Sequence, residues 1–216
     1  MRTLVIYSSY HHGNTKKVAD VIAKVLGGEL AKPDEVDVSS LSEYDLICFG
    51  SGIYYGKHDK TLFELVEKMP PLKKNIFIFS TRGSFILPSG HQALRRSLRE
   101  KGFHIVGEFS CRGFDTNGLL KLFGGISRGR PNENDLKEAE DFTKALKVDA
   151  ESQPADKRDT LNIPKQRDTN LISKGVSIEL DAFQLLLAEF RNLFKYNYFF
   201  KCINLYLFYF KCKFLI

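Results

Sequence analysis

A polar segment near the start of the chain has the residue types and spacing that suit an anion. Its sequence is Ser9-Tyr10-His11-His12-Gly13-Asn14-Thr15, and it follows an apolar run that begins at Leu4. A glycine among hydroxyl and amide side chains lets backbone N–H groups turn toward a ligand, and the helix expected next directs the positive end of its dipole there. The pattern favours a phosphate site. The alternative is an ordinary turn in which serine and asparagine cap the helix.

Hydrophobic patterning predicts the elements that position this segment. Apolar runs without alternation, which are typical of strands covered on both faces, lie at Thr3–Ser8, Tyr44–Gly50, Asn75–Ser80 and His104–Ser110, with a weaker run at Leu30–Val36. Apolar residues at helical spacing predict helices over Thr15–Leu26, Thr61–Met69, Gln92–Lys101 and Asn134–Val148. Alternating strands and helices predict an α/β fold, a three-layer doubly wound five-stranded parallel sheet.

Two further loops directly follow predicted strands. They are Gly50-Ser51-Gly52-Ile53-Tyr54-Tyr55-Gly56 and Thr81-Arg82-Gly83-Ser84. Glycine allows the backbone to approach a planar ligand closely, and the aromatic side chains offer surface for stacking. The alternative for the first of these loops is a turn whose tyrosines only cover the core.

With these three loops, residues 1–148 resemble the FMN-binding domain of the flavodoxin family. The phosphate loop is most similar at Gly13-Asn14-Thr15. It differs at Tyr10, His11 and His12, where family members usually have hydroxyl residues. The resemblance implies the strand order 2-1-3-4-5 and FMN bound without a covalent bond.

The resemblance also implies which part of FMN each loop contacts. The phosphate is expected at the first loop, the isoalloxazine ring against the second, and the pyrimidine edge at the third, where Arg82 is either beside the ring or exposed to solvent. His12 is expected either on the phosphate or facing solvent. The full set of expected FMN-binding residues is Ser9, Tyr10, His11, His12, Gly13, Asn14, Thr15, Gly52, Ile53, Tyr54, Tyr55, Thr81, Arg82, Gly83 and Ser84.

Three functions agree with this resemblance. An electron carrier would exchange electrons with a redox partner protein, whereas an FMN-dependent oxidoreductase would act on NAD(P)H, a quinone-like molecule or a porphyrin. The long connection after the fifth predicted strand favours the enzyme. A domain that has lost its flavin is the weakest alternative. Cys111, at the start of that connection, is either a buried structural thiol or a group near the ring.

Composition and cysteine spacing exclude other classes of function. The formal net charge is +6, and no basic cluster interleaved with aromatic residues predicts nucleic-acid binding. The four cysteines are scattered, which indicates neither a disulfide framework nor a zinc site. No catalytic triad, metal or nucleotide-triphosphate motif is present. Because no signal peptide is evident, we expect a cytoplasmic protein.

The chain changes character after Val148. Residues 149–182 contain prolines, many charges and little apolar periodicity, which predicts a disordered linker. Residues 183–216 are rich in aromatic residues and lysine, and the longest uncharged stretch, Cys202–Phe210, is far shorter than the ~20 residues of a membrane-spanning helix. This tail has no selected fold, forms a peripheral helix on a membrane or partner, or packs as a small domain.

Overall fold

Five parallel strands form one sheet in the part of the chain that the structure, a computed structural model, describes: residues 1–83, 90–117 and 124–152. The strands are β1 (Thr3–Ser8), β2 (Glu29–Ala31), β3 (Leu46–Gly52), β4 (Asn75–Arg82) and β5 (His104–Arg112). The helices are α1 (Asn14–Leu26), α2 (Lys60–Lys68), α3 (Gln92–Glu100) and α4 (Glu133–Ser152), with a 3₁₀ turn at Ser40–Glu43. The strand order β2-β1-β3-β4-β5 is the order that the resemblance implies.

Two helices cover each face of the sheet. On one face, Phe49 and Ile78 belong to a buried cluster with residues of α2 and α3. On the other face, Phe77 and Phe79 pack with residues of α1 and α4. Burying each such side chain contributes about 1.5–3 kcal/mol, so the two cores hold the helices firmly on the sheet. The predicted three-layer, doubly wound fold is confirmed.

The strands extend further at their carboxyl ends than the apolar runs predict. Parallel pairing continues through Ser51 with Ser80, Gly52 with Thr81, and Arg82 with Arg112. Backbone N–H and C=O groups make these ladders, so pairing does not stop where the side chains become polar. The predicted loops at 50–56 and 81–84 therefore begin inside β3 and β4. The weak strand is also shorter than predicted, because only Glu29–Ala31 pairs with β1.

Helix α4 continues to Ser152 and so includes the first residues of the predicted linker. The remainder of the linker and the whole tail lie outside the described residues. Within the described ranges, no helix is long and apolar enough to span a membrane.

Candidate functional site

An open cleft lies at the carboxyl ends of β1, β3, β4 and β5. It lies where the strand order reverses between β1 and β3, the position at which open α/β sheets bind ligands. All three loops singled out in the sequence contribute to it. The lining residues are Ser9, His11, Asn14, Thr15, Gly52, Ile53, Tyr54, Thr81, Arg82, Gly83, Gly113, Phe114 and Asp115.

The connection from β1 to α1 has the backbone of an anion site. His12 and Gly13 are consecutive left-handed residues, with φ of 56° and 66°, and Gly13 is the N-cap of α1. Successive backbone N–H groups in a turn can form a concavity that binds an anion. Within the described part of the chain, the N–H groups of His12, Gly13 and Thr15 donate no hydrogen bond. The first turn of α1 carries no acidic side chain, so the helix dipole also favours an anion here.

The side chains of Asn14 and Thr15 hold the walls of the cleft together. Asn14 Nδ2 donates to the carbonyl oxygen of Phe114 at 2.7 Å, and the hydroxyls of Thr15 and Thr81 are 2.9 Å apart. Asn14 Oδ1 is buried and has no partner among the described residues. This remaining acceptor suits a hydroxyl donor of a ligand, whereas an anion is better placed on the backbone N–H groups.

Tyr54 lines the cleft, whereas Tyr55 lies at the tip of a tight turn. The N–H of Tyr54 donates to the carbonyl of Lys57 at 2.8 Å, and the reverse bond is 3.0 Å. Tyr55 has a φ of 51° and is 95% exposed. Burial, together with the charges of Asp59 and Asp115, raises the pKa of Tyr54 to about 12, so its phenol is neutral at ordinary pH.

Several expected residues lie outside the cleft lining. Tyr10 is exposed, like Tyr55, and Gly13 acts through its backbone. His12 is exposed, as one of its two expected positions requires, and its Nε2 atom is 2.9 Å from Thr116 Oγ1 while its ring packs on Phe114; its contact with a phosphate stays a prediction. Ser84 lies outside the described residues. The other expected residues meet at the cleft, and their contact with FMN stays a prediction.

The segment after β5 contributes three cleft residues that the sequence did not assign to the site: Gly113, Phe114 and Asp115. A Cβ on Gly113 would lie 2.9 Å from Asn14 Nδ2, so a side chain at this position would press on the phosphate loop. The one sequence signal for this wall is its position directly after the fifth predicted strand.

Cys111 is a buried residue of β5. Burial raises the pKa of its thiol to about 12, which leaves it protonated and unreactive at ordinary pH. The structure therefore agrees with the structural alternative for this cysteine.

This arrangement defines the class: a doubly wound α/β protein with a cleft at its switch point and a loop suited to an anion. Residues 4–85 match the family described as a flavodoxin domain. An uncharacterized protein of Methanocaldococcus jannaschii is 46% identical over 147 residues, which cover 68% of this chain and 98% of that relative. The chain belongs to the flavodoxin-like family.

Solved flavodoxins have the same fold. A flavodoxin from the domain Archaea matches with a TM-score of 0.54 and 18% identity, over 70% of this chain and 99% of that chain. Flavodoxin 2 from Bacillus cereus also matches with a TM-score of 0.54 and 18% identity, over 69% of this chain and 99% of that chain. Family and fold together support an FMN-binding redox protein in general terms.

Proposed function

We propose that the protein binds FMN non-covalently in the cleft and uses it to transfer electrons to or from a partner protein. The observation that carries this proposal is the loop before α1, where the N–H groups of His12, Gly13 and Thr15 are available at a helix N-terminus. They would hold the FMN phosphate. When bound, FMN supplies the redox chemistry, while the chain binds and orients it.

The remaining cleft residues suit the rest of the cofactor. Ile53 and the neutral ring of Tyr54 offer the isoalloxazine an apolar surface, and stacking adds about 0.5–1.5 kcal/mol beyond the area buried. The buried acceptor Asn14 Oδ1 suits a hydroxyl of the ribityl chain. Stacking on the electron-rich ring of Tyr54 disfavours the hydroquinone anion and so lowers the reduction potential. Arg82, at the end of β4, favours negative charge on the pyrimidine edge and so raises it.

An FMN-dependent oxidoreductase is the second candidate, and the segment after β5 favours it. Phe114 and Asp115 line the cleft together with Arg82. An enzyme needs such an additional wall beside its flavin to hold NAD(P)H, a quinone-like molecule or a porphyrin, whereas a carrier exposes the ring edge to a protein partner.

The test of FMN binding compares FMN with riboflavin, which lacks the phosphate. The full chain is titrated with each flavin, and binding is followed by quenching of flavin fluorescence. Several charge-assisted hydrogen bonds to the phosphate predict that riboflavin binds at least about 100-fold more weakly. Equal affinities would show that the loop does not bind the phosphate, and failure to bind either flavin would overturn the proposal.

A second experiment distinguishes the carrier from the enzyme. The FMN-loaded protein is mixed anaerobically with NADH or NADPH in a stopped-flow instrument. A carrier is expected to be reduced slowly by both and to accept electrons from dithionite in two separate one-electron steps. Fast, saturable reduction by either nucleotide would instead indicate that the protein is an FMN-dependent oxidoreductase.

A further inference from the structure

Two buried histidines lie next to the strand ends that border the cleft. His58 Nδ1 is 2.8 Å from Ser51 Oγ, and His91 Nε2 is 2.8 Å from Ser80 Oγ. Ser51 and Ser80 are direct neighbours across β3 and β4. The two imidazole rings are 5.0 Å apart between centroids, with an interplanar angle of 32°. A His–His contact therefore lies over the serine pair.

The hydrogen bonds of Ser51 determine the tautomer of His58. The Ser51 hydroxyl donates to the Gly52 carbonyl at 2.8 Å and accepts the N–H of Asp59 at 2.9 Å. Its single proton is used, so Nδ1–H of His58 donates to it. His58 Nε2 is then a bare acceptor, which is buried and has no partner among the described residues. Burial, reinforced by the neighbouring His91, lowers the pKa of His58 well below its ordinary value.

His91 is held from its other side by an ion pair. Its Nδ1 is 3.1 Å from Glu108 Oε2, and Arg95 Nη2 donates to the same carboxylate at 2.7 Å. Burial raises the pKa of Glu108, but the hydrogen bonds and charges of His91 and Arg95 bring it down to about 2. Glu108 is therefore ionised and accepts from His91. Arg95, a residue of α3, therefore belongs to this network.

Backbone contacts join the same two segments. A Cβ on Gly90 would lie 2.8 Å from Ile53 Cγ2 and 3.0 Å from the Gly56 carbonyl oxygen. Only glycine therefore fits at the position directly before His91. The N–H of Ile53 also donates to the Thr81 carbonyl at 2.9 Å. The β3–α2 connection, which carries Ile53 and Tyr54, is thus attached to β4 and to the start of α3.

We propose that His58 and His91 are positioning residues whose ring contact, with the buried imidazole of His58 uncharged, holds the β3–α2 connection at the spacing that the isoalloxazine ring requires. This inference rests on the proposed FMN function. A proton added to His58 Nε2 would place a buried cation beside His91, with no acceptor for that proton in the described part of the chain. Glu108 favours the charged form of His58, but it is already engaged by Arg95 and His91, and the carboxylate of Asp59 caps α2. Acid therefore loosens the connection and weakens FMN binding.

The test uses the full chain and two substitutions of one residue. His58→Asn keeps an N–H near the Nδ1 position but cannot take a proton, whereas His58→Phe keeps a ring and loses the hydrogen bond. His104→Asn, at the opposite end of the sheet, is the matched control. The FMN dissociation constant is measured from about pH 7.5 to about pH 4, because the pKa of the buried His58 lies well below the ordinary histidine value. The reduction potential of bound FMN and the thermal midpoint of each variant are also measured.

We expect His58→Phe to weaken FMN binding about tenfold and to shift the reduction potential, because a buried hydrogen bond that fixes the ring-binding connection is lost. His104→Asn keeps the affinity of the unmodified protein at neutral pH, and His58→Asn, which keeps the hydrogen bond to Ser51 but loses the ring contact, weakens it less than His58→Phe does. As the pH falls to about 4, the unmodified protein loses affinity more steeply, relative to its own value at neutral pH, than His58→Asn. Titration of the FMN phosphate itself is common to both proteins and cancels in this comparison.

Two outcomes would overturn the inference alone: unchanged FMN affinity in a folded His58→Phe protein, or identical pH profiles for the unmodified protein and His58→Asn. If His58→Phe does not fold, His58→Gln, whose amide lies near the Nε2 position and misses Ser51, takes its place with the same expected result. Failure of the unmodified protein to bind FMN would overturn the proposed function, and this inference with it.

Discussion

Gly13 combines two requirements in one residue: a left-handed backbone and an N–H directed at the proposed phosphate. Gly27, at the other end of α1, has nearly the same φ, 63° against 66°, and at both glycines a Cβ would meet nothing within 4 Å. Replacing either by alanine should cost about 1 kcal/mol of stability through backbone strain. We expect Gly13→Ala alone to weaken FMN binding, about tenfold, in a fluorescence titration. Equal affinities of the two variants would contradict the assigned phosphate loop.

The buried His58 and the ion-paired Glu108 predict how stability depends on pH. The unfolded His58 takes a proton near its ordinary pKa of 6.5, but the folded one resists protonation, so its contribution is present above 6.5 and is lost as the pH falls below that value. The contribution of Glu108 is lost between 4.5 and about 2. Urea unfolding at a series of pH values measures both decreases.

A separate substitution tests each of these two decreases in stability. His58→Asn should flatten the first decrease and leave the second, while Glu108→Gln should do the reverse. If stability still decreases below pH 6.5 in His58→Asn, a group other than His58 is responsible for that decrease.

At the scale of the elements, one glycine of β3 makes room for an aromatic ring of β4. A Cβ on Gly50 would lie 2.1 Å from the ring of Phe79, which belongs to the core shared with α1 and α4. Gly50→Ala should therefore destabilise the protein by about 1–3 kcal/mol through overpacking. In the double variant Gly50→Ala/Phe79→Leu the smaller side chain leaves room for the Cβ, so the two costs should not add. Simple additivity in urea unfolding would contradict this packing.

At the scale of the whole molecule, both hydrophobic cores are built from residues between β1 and α4. We expect a chain that ends at Ser152 to keep the free energy of unfolding and the FMN affinity of the full chain. Parallel urea unfolding and FMN titration of the two chains provide the measurement. A clear loss of either property on truncation would assign residues 153–216 a part in the fold or the site.

Much of the fold could be predicted from the sequence because apolar residues report burial. The uninterrupted runs at Thr3–Ser8 and His104–Ser110 indicated strands covered on both faces, and Gly27 and Pro70 marked where helices end. The same reasoning ended β3 and β4 too early. Ser51, Thr81 and Arg82 are polar, so their continued pairing leaves no trace in a pattern of hydrophobicity.

The sequence by itself determined the set of strands and helices and the loop Ser9–Thr15. Helix and strand propensity, the glycine and proline residues that end these elements, and side-chain chemistry are all local properties of the chain. Only the tertiary structure decided which side chains face one another. In the structure Tyr55 is exposed to solvent, His12 contacts Thr116, and His58 lies beside His91, which is 33 residues away in the chain. The physical reason is strand register: neighbours across a parallel sheet are fixed by pairing between distant segments, which local patterns do not encode.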